Sequence, residues 1–447
     1  MTQFPYSSAA MTRNSTTPMT SNSVTFASVD DALDSFNRML QMNPRPSGVK
    51  FGQLVSSLVR MKAFQAAFYA SKRMELAGVP HDRYTLGLML RCFCKLGRVD
   101  FGYSVLSKAQ KLGIQFDDVM LSTLIDGLCK VGKVIEAARL VHKIRILGYQ
   151  PDVFTYTIII DGLCKAGQTS AGLELLKNMK EFGCQPDVFA YNSLIYGLCI
   201  SSRINEAMEL FNKMVDKKIM PDTFTYNILV DAFCKEGNVL GAKVILKMMI
   251  QRGLLPDNVT YNSLMNGYCL RNELDKARKL FDFIDNRGCK PDVVGYNILM
   301  DRLWKAGREK EAREIFSRLS RDNCLQPNIL TYNIAINGLC HHGFVDEAYD
   351  LFRKMEANSC LPDSSSYNVI IHGFLHHKDP LEAINLIHEM VSKGFSADLT
   401  TMSLLIELLP KNQLDHPIVQ KLLNGPNIKS HEIVSSDLSA AATQGTC

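Results

Sequence analysis

A single tryptophan stands among 447 residues, against 20 methionines. That balance suits a helical, softly packed core better than a β-sandwich. No run of 18 or more apolar residues occurs, so no transmembrane helix is predicted. Charge of one sign is not in large excess either: 50 Lys and Arg stand against 45 Asp and Glu, a net of +5. Such a balance permits a polyanion partner without arguing for one, because the placement of the charges decides. Motifs of chemistry are missing. There is no G-x-x-x-x-G-K-[ST], no G-x-S-x-G and no H-x-E…C-x-x-C. No region outside the repeats described below is large enough to be a catalytic domain, so no catalysis and no cofactor are expected. Acid is absent from the first 29 residues, which hold twelve Ser or Thr and one Arg, Arg13. That composition matches an organelle transit peptide and lacks the apolar segment of a secretory signal.

What the sequence does have is a period. Cysteines fall at Cys94, Cys129, Cys164, Cys199, Cys234 and Cys269, each 35 residues after the last. Trp304 takes the next slot, and Cys340 follows after a slip of one residue. The strings PDVFTY at Pro151, PDVFAY at Pro186, PDTFTY at Pro221, PDNVTY at Pro256 and PDVVGY at Pro291 keep the same step. A repeat array is therefore the first reading.

Within a unit the pattern is two helices. Tyr191, Leu194, Ile195 and Leu198 share one helical face, and Ala207, Leu210, Phe211 and Met214 share another. Gly132, Gly167, Gly237 and Gly307 stand where the first helix should end in a left-handed cap. Each hairpin is too small to bury its own apolar face, so neighbours must stack, giving an all-α solenoid of helix-turn-helix repeats. Ten full units are expected over 48–398, starting at Gly48, Arg83, Asp118, Val153, Val188, Thr223, Asn258, Val293, Ile329 and Ser364. The unit from Val293 has 36 residues and the others 35. Residues 1–29 read as the transit segment, 30–47 as a partial repeat, 399–423 as a closing partial repeat and 424–447 as a disordered tail.

Two candidate metal sites were weighed. A cysteine recurring at one slot of a stacked hairpin is a core residue, and Cys92 and Cys94 form only C-x-C. Thirteen cysteines, most of them read as core residues, fit a reducing compartment. His372 and His376 share a helix face beside His377, yet no carboxylate or further ligand recurs with them, and His341 and His342 hold the corresponding place one unit earlier. No metal is expected.

Units such as VFTYTIIIDGLCKAGQTSAGLELLKNMKEFGCQPD resemble the pentatricopeptide repeat in its plain 35-residue form. The leading DDALDSFNRML is similar to the start of restorer-of-fertility-like members. The rival is the tetratricopeptide array, a helical scaffold for protein partners. It has a 34-residue period and a W-x₂-L-G-x₂-Y pattern that is missing here. The resemblance implies a right-handed α-solenoid of a monomeric protein, imported into mitochondria or, as the alternative, chloroplasts. It would bind single-stranded organellar RNA, steer its processing, stability or translation, and recruit a processing enzyme.

Arrays of that family read one base per unit with two or three side chains. The resemblance assigns the reading to the fifth and last residues of each unit. An ionised Asp only accepts hydrogen bonds, so a closing Asp favours U or G, whose ring N–H donates. With Asn at the fifth place selecting pyrimidines and Ser or Thr purines, Ser122 with Asp152 and Thr157 with Asp187 imply G. Asn192 with Asp222, Asn227 with Asp257, Asn262 with Asp292, Asn333 with Asp363 and Asn368 with Asp398 imply U. Asn297 with Asn328 implies C or U. Gly52 and Gly87 depart from the pattern and leave the first two units unassigned. The implied target, read parallel to the chain, has the core 5′-GGUUUYUU-3′. The second residue of each unit, Phe154, Phe189, Phe224, Val259, Val294 and Leu330, would wedge between bases. Lys95, Lys130, Lys165, Lys235 and Lys305 would meet phosphates.

Overall fold

The computed structural model describes residues 26–408, apart from 147, 287–289 and 323. Among the described residues the chain forms 22 helices and no strand. Two compact units divide it, one ending at Met220 and one starting at Pro221. The first holds the single helix Val29–Gln41 and five helical hairpins; the second holds five hairpins and the helix Leu399–Leu408. The hairpins are numbered here as repeats 1 to 10 in chain order. Ser28 caps Val29–Gln41, and Phe26 and Val29 pack on the core of the first repeats, so folded chain reaches into the segment read as 1–29. Expectations for residues 1–25 and 409–447 lie outside the described residues.

Each first helix from repeat 2 onward starts the same way. The residue before it holds extended backbone, and its side chain accepts the N–H of the third helical residue, whereas Ser47 makes no such bond to the helix of repeat 1. The bond measures 2.8–2.9 Å at Asp152, Asp187, Asp222, Asp257, Asp292, Asn328, Asp363 and Asp398. A cap of this kind stabilises a helix by about 1 kcal/mol. Repeat 8 carries its extra residue in the loop after Glu309–Ser320, where Asp322 accepts the Cys324 and Leu325 N–H groups. Asn328 therefore caps the next helix just as the aspartates do.

First helices end on left-handed residues. Gly132 has φ 79° and Gly167 φ 73°. The Gln168 N–H reaches back to the Leu163 carbonyl at 2.8 Å, closing the last turn. Ser202, Asn272 and Lys378 take the same conformation without being glycine, at φ 55°, 59° and 62°.

The recurring cysteine is explained by its neighbour one repeat on. A Cβ added to Gly162 would lie 2.7 Å from Cys129 Sγ; at Gly197 it would lie 2.5 Å from Cys164 Sγ, and at Gly267 2.7 Å from Cys234 Sγ. At these junctions first helices approach so closely that only glycine fits at the tenth position; Ala232 and Arg302 hold that place in repeats 6 and 8. Trp304 fills the cysteine slot of repeat 8 and lies flat over Gly338. Burial pushes the thiols of Cys94 and Cys269 up to about 11 and those of Cys129, Cys164, Cys234 and Cys340 to about 12. They stay protonated at neutral pH and are packing groups, not nucleophiles.

The fourth residue of the first helix completes the core. Tyr296 meets Phe281 of the preceding second helix edge to face at 4.8 Å, and Tyr367 meets Phe352 at 5.1 Å. In the second unit, ion pairs also join successive second helices: Arg308–Asp275 at 2.7 Å, Arg318–Asp282 at 2.9 Å and Arg353–Glu389 at 2.8 Å.

Candidate nucleic-acid interface

At 100° per residue, positions 2, 5, 9 and 13 of a first helix fall within an arc of about 80°. Every residue that the resemblance places at RNA, apart from the closing ones, sits at position 2, 5 or 13.

Position 2 is open. Phe189 is 46% exposed, Phe224 44%, Val294 54% and Leu330 57%; Val259 is exposed as well and Phe154 half-buried. Large apolar side chains held out from a helix with a well-formed core suit stacking against flat ligands.

Position 5 is not open. Ser122, Thr157, Asn192, Asn227, Asn262, Asn297 and Asn368 are all buried, and Asn333 is half-buried. In repeats 3 and 4 the hydroxyls turn back on their own helix: Ser122 Oγ donates to the Val119 carbonyl at 3.2 Å and Thr157 Oγ1 to that of Val153 at 2.8 Å. The asparagines behave differently. Asn227 Nδ2 donates to both oxygens of Asp257, at 3.0 and 3.2 Å, and Asn262 Nδ2 donates to Asp292 Oδ1 at 2.9 Å. Asn368 Oδ1 accepts from the Asp398 N–H at 3.4 Å. Fifth and closing residues, some 30 positions apart, are thus brought together at the seam between neighbouring repeats. Asn297 and Asn333 each keep a buried side-chain carbonyl without a hydrogen-bond partner.

Each closing Asp has one oxygen engaged by the helix it caps. Asp257 is exposed, and its carboxylate is held in place by the Thr260 N–H on Oδ1 and by Asn227 Nδ2 on both oxygens. An acceptor held rigidly at an open seam is suited to a ring N–H donor.

Position 13 carries the lysines, at the last turn of the first helix, where a cation is favoured by the helix dipole. All but one are paired. Lys165 lies 2.7 Å from Asp161, Lys235 2.7 Å from Asp231 and Lys305 2.8 Å from Asp301, and Lys130 pairs with Asp126 in the same way. The i,i+4 spacing of these position-9 aspartates to the lysines is the sequence signal of the pairing. The aspartates mute the cations expected to meet phosphate. Lys95 is the exception: Arg91 occupies the place of the acid, and burial and then the neighbouring Lys130 pull its ammonium below the ordinary value.

The histidines are accounted for locally. His342 Nδ1 and His377 Nδ1 each lie 2.9 Å from a carbonyl of their own helix, those of Gly338 and Gly373. His372 Nε2 bonds Thr401 Oγ1 at 2.8 Å, and burial lowers its pKa. Among the described residues no three His, Cys, Asp or Glu side chains gather in a metal-binding arrangement. No helix among the described residues is long and apolar enough to cross a membrane.

The sequence matches the PPR repeat family in eight overlapping stretches, 117–165, 151–200, 186–235, 226–270, 256–305, 291–341, 327–376 and 362–411, with a further PPR repeat at 84–114. The chain belongs to the pentatricopeptide repeat family. Among curated relatives, a mitochondrial pentatricopeptide repeat-containing protein of Arabidopsis thaliana is 37% identical over 91 residues, 20% of this chain and 15% of the relative. A putative mitochondrial one from the same plant is 41% identical over 83 residues, 19% of this chain and 14% of the relative. The matched segments thus span about a seventh of those relatives' length. Among solved structures, the pentatricopeptide repeat protein PPR10 in complex with an 18-nt psaJ RNA element matches with a TM-score of 0.59 and 25% identity. That match covers 85% of this chain and 55% of PPR10. PPR10 itself is from maize. The pentatricopeptide fold here is accordingly an all-α repeat solenoid, and its first-helix seams carry the paired side chains.

Proposed function

We propose that this pentatricopeptide protein binds single-stranded RNA by sequence, one base per repeat, and marks an organelle transcript for processing, protection or translation without catalysis of its own. The observation that carries the reading is the pairing of fifth and closing residues at successive seams, Asn227 with Asp257 and Asn262 with Asp292, beside the open position-2 side chains. A carboxylate at the seam and an adjoining amide N–H present one acceptor and one donor. The Watson–Crick edge of uracil offers a ring N–H flanked by carbonyl oxygens, the complement of that pair. The core target is 5′-GGUUUYUU-3′, for repeats 3 to 10, with the position-2 residues between bases and the position-13 lysines at the phosphates. PPR10, the solved relative, was captured on RNA, and several relatives carry mitochondrial names, which supports the mitochondrion as the site of action.

Binding of the full chain to a randomised single-stranded RNA pool, with the bound species sequenced, tests this. Enrichment of the core is expected. Asn227→Thr should shift preference at the base of repeat 6 from U towards G and leave the others as they were. An unchanged preference there would mean that the register is wrong, and no retention of RNA would sink the reading.

A further inference from the structure

Base reading is assigned above to two residues of each repeat. The structure brings in a third, from the repeat that follows. Thr260 is the third residue of repeat 7 and is fully buried. Its Oγ1 lies 2.5 Å from Asn227 Oδ1, across the seam from repeat 6, and 2.9 Å from Asp257 Oδ1. A hydroxyl has one hydrogen to give, and the shorter contact is to the asparagine. Its backbone N–H meanwhile holds Asp257 Oδ1 at 2.9 Å. Thr401 repeats the arrangement after repeat 10. Its Oγ1 lies 2.8 Å from Asn368 Oδ1, its N–H holds Asp398 Oδ1 at 2.8 Å, and His372 Nε2 backs the hydroxyl at 2.8 Å.

An asparagine amide has two ends of opposite hydrogen-bonding sense, and rotation about its last bond exchanges them. A hydroxyl hydrogen directed at Oδ1 permits only one orientation. In that orientation Nδ2 faces the closing carboxylate, as the contacts of 3.0 and 3.2 Å from Asn227 to Asp257 show. The donor–acceptor pattern offered to a base is then fixed before the RNA arrives, and no ordering is left for the bound state to supply.

We infer that Thr260 and Thr401 are positioning residues for base selection: each locks the fifth-position asparagine of the preceding repeat so that the asparagine–aspartate pair is set for uracil. The inference rests on the RNA-binding reading above. The chain contains its own contrasts. Repeat 8 starts Val-Val-Gly, so Asn262 has no hydroxyl above it; a Cβ on Gly295 would lie 2.8 Å from Asn262 Oδ1. Thr331, at the same place in repeat 9, bonds the cap Asn328 at 3.0 Å, while Asn297 Oδ1 is left without a partner. Repeats 6 and 10 should therefore discriminate among bases more sharply than repeat 7.

The test uses the full chain and synthetic RNAs that carry the core target with the repeat-6 base varied through all four nucleotides. Thr260→Val keeps the shape and removes the hydroxyl. It should lower the preference for U at that base about three- to ten-fold, the worth of one hydrogen bond, while affinity for RNAs already mismatched there changes little. Thr260→Ser should restore the preference. Thr331→Val, which loses the same helix cap, should fall in Tm by a similar amount yet change discrimination at the repeat-8 base less. Equal weakening on all four RNAs, or an equal effect from Thr331→Val at its own base, would overturn the positioning role. A parent chain with no preference at the repeat-6 base would instead sink the reading on which it rests. Should Thr260→Val not fold, as judged by circular dichroism, Thr401→Val with the repeat-10 base varied decides in the same way.

Discussion

The four position-9 aspartates yield a prediction opposite in sign to the usual expectation for an RNA-binding face. Changing Asp126, Asp161, Asp231 and Asp301 together to Asn should tighten binding to every single-stranded RNA. Each carboxylate now pairs with the lysine four residues on, at 2.7–2.8 Å where the distance is well formed. Those lysine side chains are 39–61% exposed, so the pairs themselves contribute only about 0.3–0.5 kcal/mol to the fold. Their cost to binding is larger. A phosphate reaching the lysine would stand about 6–8 Å from the aspartate, where two like charges repel by roughly 0.5–2 kcal/mol at effective dielectrics between protein surface and water. Physiological salt, with a Debye length of about 8 Å, removes about half of this. Each substitution should then raise affinity about two- to five-fold at physiological salt, and the four together about 16- to 600-fold if they act independently, with a larger gain at low salt. Freed lysines should also steepen the salt dependence, by up to about 0.7 in the log–log slope per phosphate engaged. Fluorescence anisotropy of a labelled RNA at several salt concentrations measures both quantities. A variant that binds no tighter at low salt, or whose gain persists at high salt, would refute the placement of this column at the RNA backbone.

Two further predictions concern the fold. Gly162→Ala forces a methyl to within 2.7 Å of Cys129 Sγ and should cost about 1–3 kcal/mol by chemical denaturation; pairing it with Cys129→Gly, which removes both the Sγ at 2.7 Å and the Cβ at 2.9 Å, should recover part of the loss. Glu389 accepts hydrogen bonds from Arg353, Tyr367 and Lys393, and the Arg353 contact above all holds its carboxyl down at about 2. A depressed carboxylate contributes stability that is present above its unfolded value near 4.5 and lost as pH falls towards 2. Glu389→Gln should therefore lower the Tm at pH 7 and lower it progressively less as pH falls from about 4.5 towards 2; a loss that does not shrink with pH would contradict the ion pair.

Much of this architecture was legible in the sequence because a solenoid is local. The face of Tyr191, Leu194, Ile195 and Leu198 and the left-handed glycines at 132 and 167 belong to single helices, and helical spacing exposes them. The closing aspartates could be placed as helix starts for the same reason. What the period could not show is what lies across a seam. Thr260 meets Asn227 from 33 positions away, as Gly162 meets Cys129, and such contacts depend on how closely two first helices pack. The pairing of the lysines is local too: Asp161 stands one helical turn before Lys165.

The glycine–cysteine contact has a consequence for how such chains can change. Where position 10 is glycine, its fit is set by the preceding repeat: Gly338 answers Trp304, and Gly162 answers Cys129. The unit that must be inherited together is therefore a junction, half of one repeat and half of the next. A whole repeat moved between two such chains would bring mismatched joints at both of its ends. A segment cut through the middle of two hairpins would carry intact joints, and with them the Asn–Asp–Thr cluster of the same seam. Shuffling of segments cut in that way can alter what the array reads while leaving every contact between helices as it was.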